Sequence, residues 1–186
     1  MKRYIYTLLL GVLCCTAVQA QRMLPGQKGL ELSAGTLSGR QPGSNYFLGA
    51  ALTVYGKSGH YQLYGLEYDR EQAAYKGRYL PLETYMAEAG YSLRLLSLAR
   101  KHINLNAALS AVGGYEAINR GTALLPDGAL IRSEEGFIYG AGGRLSLEAW
   151  LGDRLVVVLQ GRSRLLWNTS TDQFRPSAGL GLRFNF

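Results

Sequence analysis

The chain has only two cysteines, Cys14 and Cys15, and both lie in its first twenty residues. The rest of the chain therefore has no thiol for a disulfide, a metal site or nucleophilic catalysis. Its two histidines, His60 and His102, lack the spacing of metal ligands. Neither is flanked by the nucleophile and carboxylate that a Ser-His hydrolase requires. The sequence therefore predicts no metal, no cofactor and no enzyme activity.

The chain also lacks long apolar runs after its N-terminal leader, MKRYIYTLLLGVLCCTAVQA. The leader has Lys2 and Arg3, an apolar run over residues 4–15, and Val18-Gln19-Ala20 as a small-residue cleavage site, the pattern of a secretory signal peptide. A retained anchor is the alternative, but its apolar run is shorter than the roughly 20 residues of a spanning helix. We predict a signal peptide over 1–20 and one domain over 21–186.

Clusters of charge are absent as well. The formal net charge is +7, yet the basic residues are scattered singly and form no patch. A glycine-rich stretch at 140–143 superficially resembles a phosphate-binding loop, but it lies inside a predicted strand with no helix behind it. The sequence therefore predicts no nucleotide site and no direct contact with nucleic acid.

Apolar residues instead alternate with small or polar ones throughout, the period of a β-strand with two different faces. The alternation predicts eight strands, at 30–34, 46–55, 64–69, 84–95, 103–116, 137–149, 155–167 and 174–186. Predicted connections near 56–59, 96–101 and 152–154 are short, and those near 36–45, 70–81 and 117–136 are longer. Short and long connections in alternation favour an antiparallel, up-and-down meander across a membrane.

Three architectures use eight such strands: a soluble lipocalin-like barrel, a β-sandwich and an outer-membrane barrel. Several predicted strands have about a dozen residues, enough to cross a bilayer at a tilt and longer than the usual 5 to 6 of sandwich strands. Aromatic residues gather near the strand ends, as at membrane interfaces. These features favour an outer-membrane barrel, whose oily faces contact lipid and whose eight strands leave no open pore.

The other faces are rich in Gly, Ala and Ser, with isolated charges that a narrow lumen must pair. The predicted lumen charge network comprises Glu31, Glu67, Glu88, Glu148, Arg94, Arg144, Arg162, Arg164 and Arg183. In a sandwich the same residues would form a solvated face.

The chain ends in FRPSAGLGLRFNF, residues 174–186, which alternates without a slip. Its oily face ends in Leu180, Leu182, Phe184 and Phe186. A terminal aromatic residue after such alternation resembles the signal by which the barrel-assembly machinery recognises its substrates. We expect these four residues to contact lipid and to serve as that signal.

Four stretches resemble the TraO family of conjugal transfer proteins, from the conjugative transposons of Bacteroides-type bacteria. They are GLELSAGTL (29–37), YLPLETYMAEAGYSL (79–93), GGYEAINRG (113–121) followed by LLPDGA (124–129), and FIYGAGG (137–143). The similarity covers essentially the whole chain after the leader. It implies a component of the DNA-transfer apparatus in the donor cell envelope, with other Tra proteins as partners and no enzyme activity.

The longest predicted connection, 117–136, is the candidate contact surface because loops on rigid barrels commonly carry function. It contains Asn119, Arg120, Pro126, Asp127 and Gly128, and Pro-Asp-Gly is also strong turn chemistry without any further role. Two other functions stay open: a general outer-membrane barrel of adhesin or envelope-stability type, and a lipid-modifying outer-membrane enzyme.

Overall fold

The computed structural model describes residues 23–38, 44–75, 78–98, 102–118 and 136–186. They form eight strands: β1 Lys28–Leu37, β2 Tyr46–Tyr55, β3 Tyr61–Tyr75, β4 Arg78–Leu98, β5 Ile103–Ile118, β6 Gly136–Trp150, β7 Leu155–Trp167 and β8 Phe174–Asn185. Each strand pairs antiparallel with the next, and β8 pairs with β1. The structure confirms the predicted eight-stranded antiparallel up-and-down barrel.

The barrel closes through a continuous ladder between its first and last strands. Glu31 lies opposite Arg183, and Gly35 lies opposite Gly179. Beyond the last paired residue of β8, the Phe186 amide donates to the Lys28 carbonyl at 2.8 Å and the Lys28 amide donates to the Phe186 carbonyl at 3.2 Å. Closure leaves no unpaired edge along this seam, which removes a route to aggregation.

The connection between β2 and β3 is short, as predicted. It is a single 3₁₀ turn over Lys57–Gly59, in which Ser58 (φ 63°) and Gly59 (φ 78°) adopt the left-handed conformation. The connection between β6 and β7 is equally short, because Leu155 resumes the ladder soon after Trp150.

Two predicted connections were wrong. Residues 70–81 were expected to form a longer loop, but β3 continues to Tyr75, β4 begins at Arg78, and their pairing runs without a break. Backbone hydrogen bonds continue the hairpin beyond the part of the strands in which one face must be apolar. The alternation of apolar and polar residues that identifies a strand in the sequence is therefore lost there. Likewise β4 continues to Leu98, within the predicted 96–101 turn, across a register shift between Arg94 and Leu96.

The barrel wall has an apolar outer face and a polar inner face, the reverse of a soluble protein. Leu109 is 78% exposed on the outer face, whereas Arg183 and Glu31 are at most 1% exposed on the inner face. The aromatic residues predicted near the loop ends include Tyr85, Tyr115, Phe137, Tyr139, Trp167 and Phe174, all exposed. This distribution is that of a barrel surrounded by lipid.

One large ring enters the lumen where two glycines make room for it. Phe47 is fully buried, and a Cβ on Gly35 or Gly179 would lie 2.5 or 2.6 Å from its ring. The same Cβ on Gly35 would lie 2.2 Å from the Ala178 carbonyl oxygen. Glycine at these two facing positions therefore permits both strand closure and the packing of Phe47.

Candidate functional site

The charged lumen is the most chemically distinctive part of the barrel, and its two walls carry opposite charges. The arginines come from β6, β7 and β8: Arg144, Arg162, Arg164, Arg175 and Arg183. Most of the acids come from β1, β3, β4 and β5: Glu31, Glu67, Asp69, Glu88 and Glu116. Ion pairs therefore span the lumen between distant strands.

A first cluster lies at the end of the barrel where β1 begins and β8 ends, which we call the terminal end. Glu31 accepts hydrogen bonds from Arg144 Nη2 and from Arg183 Nε and Nη2, the last two at 3.0 and 2.7 Å. Arg183 also lies 2.9 Å from Glu148 and donates to the Tyr55 hydroxyl at 2.7 Å. We call Glu31, Glu148, Arg144 and Arg183 the terminal-side cluster. Its two acids balance its two bases, as burial of charge requires.

A second cluster occupies the middle of the lumen. Glu67 accepts from both Arg162 and Arg164, and Arg164 Nη2 donates to Glu88 at 2.8 Å. Asp69 lies 3.6 Å from Arg164. The Arg162 guanidinium also lies 3.8 Å from the centre of the Phe47 ring, a cation–π contact that adds to its ion pair.

A third cluster lies toward the loop end. Arg175 Nη2 lies 2.6 Å from Glu116 and donates to Thr169 Oγ1 at 2.6 Å. The Ser170 amide donates to Glu116 at 3.0 Å. These bonds tie the connection between β7 and β8 down onto the lumen.

Eight of the nine predicted network residues join these clusters. Arg94 does not: it is half-buried at the terminal end, and its Nη1 lies 3.5 Å from the Met23 sulfur rather than on a carboxylate of the clusters. The prediction also missed Asp69, Glu116 and Arg175. The sequence did contain a signal for them. Each lies an even number of positions from the lumen-facing residues of its own strand, and therefore on the same face.

Apolar side chains occupy the lumen beside the charges. One buried group lies at the terminal end: Met23, Tyr55, Tyr61, Leu63, Trp150, Val156 and Val158. Another comprises Met86, Val112, Ile138 and Leu166. The small cavity bordered by Glu67, Glu88, Arg144 and Arg162 has a volume of only about 20 Å³. The described side chains thus fill much of the lumen.

The other predicted site residues fall into two groups. Leu180, Leu182, Phe184 and Phe186 all lie on the exposed outer face, as expected for contact with lipid. Asn119, Arg120, Pro126, Asp127 and Gly128 lie outside the described residues, as does the predicted signal peptide.

Two further observations concern only the part of the chain that the structure describes. It contains no group of three or more His, Cys, Asp or Glu side chains placed to hold a metal ion. It also contains no helix of sufficient length and apolarity to cross a membrane.

Solved structures with the same fold include two bacterial proteins. Neisserial surface protein A gives a TM-score of 0.58 at 12% identity, covering 87% of this chain and 97% of its own. Ail, the attachment invasion locus protein of Yersinia pestis, gives a TM-score of 0.56 at 11% identity, covering 88% and 100%. At these identities the likeness concerns the fold. No curated protein gives a significant match.

One family matches the sequence over nearly its whole length. The model of the conjugative transposon protein TraO covers residues 24–186, which includes every strand of the barrel and confirms the resemblance seen in the four stretches. The chain belongs to the TraO family of conjugative transposon proteins.

Proposed function

We propose that this protein is an outer-membrane component of a conjugative DNA-transfer apparatus that acts through protein contacts rather than catalysis. The family carries the link to conjugative transposons. The filled lumen supports a role without passage of a substrate through the barrel. Ion pairs such as Glu31 with Arg144 and Glu67 with Arg162 join its opposite walls. Opening a passage would separate buried charges, at several kcal/mol for each broken pair.

The contact surface proposed for other Tra proteins is the loop end. There β3 and β4 continue as a paired hairpin beyond the aromatic pair Tyr68 and Tyr85, and residues 119–135 connect β5 to β6. The bonds from Arg175 and Ser170 to Glu116 attach the neighbouring connection to the barrel. A rigid barrel that presents loops is a common basis for binding.

Export and assembly belong to the same proposal. Residues 1–20 serve as a cleaved signal peptide, and the barrel-assembly machinery recognises the last strand through Leu180, Leu182, Phe184 and Phe186. These side chains are available to it because they lie on the outer face.

The experiment is transfer from a donor that lacks the gene, complemented by the wild-type gene or by a variant whose residues 120–129 are replaced with a Gly-Ser linker. We expect deletion to abolish transfer, the wild type to restore it, and the loop variant to reach the outer membrane without restoring it. Normal transfer from the deletion strain would contradict the proposal. Full transfer with the loop variant would exclude that loop as the contact surface.

Lipid analysis of the same strains separates this function from an envelope enzyme. We expect the phospholipid and lipid A profiles of the deletion strain to match those of the parent. A lipid species lost on deletion and restored by the wild-type gene would favour lipid modification.

A further inference from the structure

The buried acids of the lumen outnumber its buried arginines by one. Among the described residues, the arginines are Arg144, Arg162, Arg164, Arg175 and Arg183, and the acids are Glu31, Glu67, Asp69, Glu88, Glu116 and Glu148. None of these side chains is more than 12% exposed. Water reaches the charges at the two ends of the lumen, since Arg94 is half-buried and Glu71 is 21% exposed. One buried acid is therefore left without a cation to balance it.

The contacts identify Asp69 as that acid. Each of the five glutamates has an arginine nitrogen at 2.9 Å or less, the distance from Glu148 to Arg183. The nearest cationic atom to Asp69 is Arg164 Nη1, which lies 3.6 Å from its Oδ2 and is too far for a hydrogen bond. The Oδ1 atom of Asp69 is buried and has no hydrogen-bond partner among the described residues. Asp69 is thus buried like the glutamates without being paired like them.

The strand neighbours of Asp69 make a negative charge costly there. Phe47 on β2 and Thr84 on β4 lie opposite it, and neither carries a charge. Glu67 and Glu71 stand two residues before and after it on β3, so they lie on the same face of the strand. An ionised Asp69 would therefore have like charges along its own strand and no opposite charge beside it on the adjacent strands.

The arginines of the second and third clusters are already neutralised by other acids. They come from β7 and β8, and each binds a glutamate: Arg162 binds Glu67, Arg164 binds Glu67 and Glu88, and Arg175 binds Glu116. Asp69 is a fourth acid beside these three arginines and three glutamates. Burying an ionised carboxylate without a partner costs so much free energy that the group takes up a proton instead.

We propose that Asp69 is a proton-binding site, whose carboxyl group is a neutral acid in the folded barrel at neutral pH. The proton comes from water during folding and returns to water on unfolding, because an aspartate in an unfolded chain has a pKa of about 3.9. Above that pH each molecule that unfolds releases one proton, so rising pH favours the unfolded state. This inference is independent of the role in transfer, since it concerns only the charge state of the lumen.

Infrared spectroscopy of the full-length mature barrel tests the charge state directly, in a detergent that has no carbonyl group of its own. We expect one carboxylic-acid band at neutral pH, separate from the carboxylate bands. This band should shift when the wild-type protein is made with aspartate labelled at its carboxyl carbon, a result that needs no variant. The absence of an acid band, or a band that labelled aspartate does not shift, would overturn the proposal.

Variants assign the band to one residue. Asp69→Asn should lack the band, because the amide that replaces the acid cannot ionise. Asp172→Asn is the matched control, since it makes the same change at an exposed position between β7 and β8 and should keep the band. Heat-modifiable gel mobility verifies that both variants are folded. A band that persists in Asp69→Asn would refute the assignment.

Urea titration in phospholipid vesicles tests the linkage to folding. The unfolding equilibrium constant of the wild type, divided by that of Asp69→Asn, should rise roughly tenfold for each pH unit between about pH 5 and pH 7. Both proteins contain His60 and His102, so the titration of these side chains cancels in the ratio. A ratio that does not change with pH would refute the proposal. Loss of the acid band on addition of sodium or potassium chloride would also refute it, because the site would then bind a metal cation.

Discussion

Neutralising Glu31 tests whether the lumen is held by balanced charge. This carboxylate is 1% exposed and accepts hydrogen bonds from both arginines of the terminal-side cluster, Arg144 and Arg183. Glu31→Gln keeps the size of the side chain and removes its charge. Two buried guanidinium groups then share one remaining carboxylate, that of Glu148.

The expected cost follows from the asymmetry of buried ion pairs. Removing one partner leaves an uncompensated buried charge, which typically destabilises a protein by about 3 to 5 kcal/mol. Arg183 retains Glu148 at 2.9 Å and the Tyr55 hydroxyl at 2.7 Å, so the loss falls mainly on Arg144. We therefore expect Glu31→Gln to lower the free energy of unfolding by about 3 kcal/mol.

A second substitution turns this loss into a specific test. Adding Arg144→Met to Glu31→Gln removes the unpaired cation and leaves Arg183 with Glu148 as a neutral pair. The double variant should be more stable than the sum of the single losses predicts, by about 0.5 to 3 kcal/mol.

Urea titration of the refolded barrel in phospholipid vesicles measures these free energies. Fluorescence of Trp150, which is 4% exposed in the lumen, reports loss of the packed interior. Asp172→Asn is the matched control, since it makes the same chemical change at an exposed position in the connection between β7 and β8. A Glu31→Gln barrel within 1 kcal/mol of the wild type, or strictly additive losses in the double variant, would refute balanced charge as the basis of lumen stability.

Three further predictions concern the wall and the last strand. Leu109→Arg should cost about 2 to 4 kcal/mol in a vesicle unfolding assay, because this outer-face side chain is 78% exposed to lipid; an unchanged free energy would argue against that orientation. Gly35→Ala should cost about 1 to 3 kcal/mol in the same assay, since its Cβ would lie 2.2 Å from the Ala178 carbonyl oxygen. Gly161→Ala, with open space at that position, should cost nothing, and equal losses would contradict the packing argument. Phe186→Ala keeps the backbone bonds that close the barrel, so the stability of the refolded protein should change by less than about 0.5 kcal/mol. Because the variant lacks the terminal aromatic ring, the amount found in the outer membrane of cells should fall. An unchanged cellular level would contradict the assembly signal.

The face on which each side chain lies was predictable, because it depends only on whether the residue stands at an odd or an even position along its strand. In a strand that crosses lipid, every second side chain must be apolar, so the others point to the lumen whatever the rest of the chain does. This rule placed Glu31 and Arg183 correctly, and applied without exception it would also have included Glu116 and Arg175. Arg94 has the correct parity but lies near a register shift at the barrel end, where parity no longer determines the partner.

Glu31 and Arg183 pair between neighbouring strands, but most other pairings could not be predicted because the partners face each other across the lumen. Glu31 on β1 meets Arg144 on β6, and Glu67 on β3 meets Arg162 on β7. Neither pair is adjacent in the sheet, so the ladder register does not indicate it. The continuation of β3 to Tyr75 escaped prediction for a related reason, since beyond the lipid no rule forces one face to be apolar.

The lumen charges also resolve an ambiguity that the oily pattern leaves open. A slip of β8 along β1 by one residue would turn its leucines inward, and alternation forbids it. A slip by two residues preserves both faces, yet it would carry Arg183 about 6.6 Å from its place opposite Glu31. The same slip would take Gly179 from its place opposite Gly35, where Phe47 needs both glycines. Charge pairing and the glycine contact therefore select the closing register among the slips that hydrophobic alternation permits.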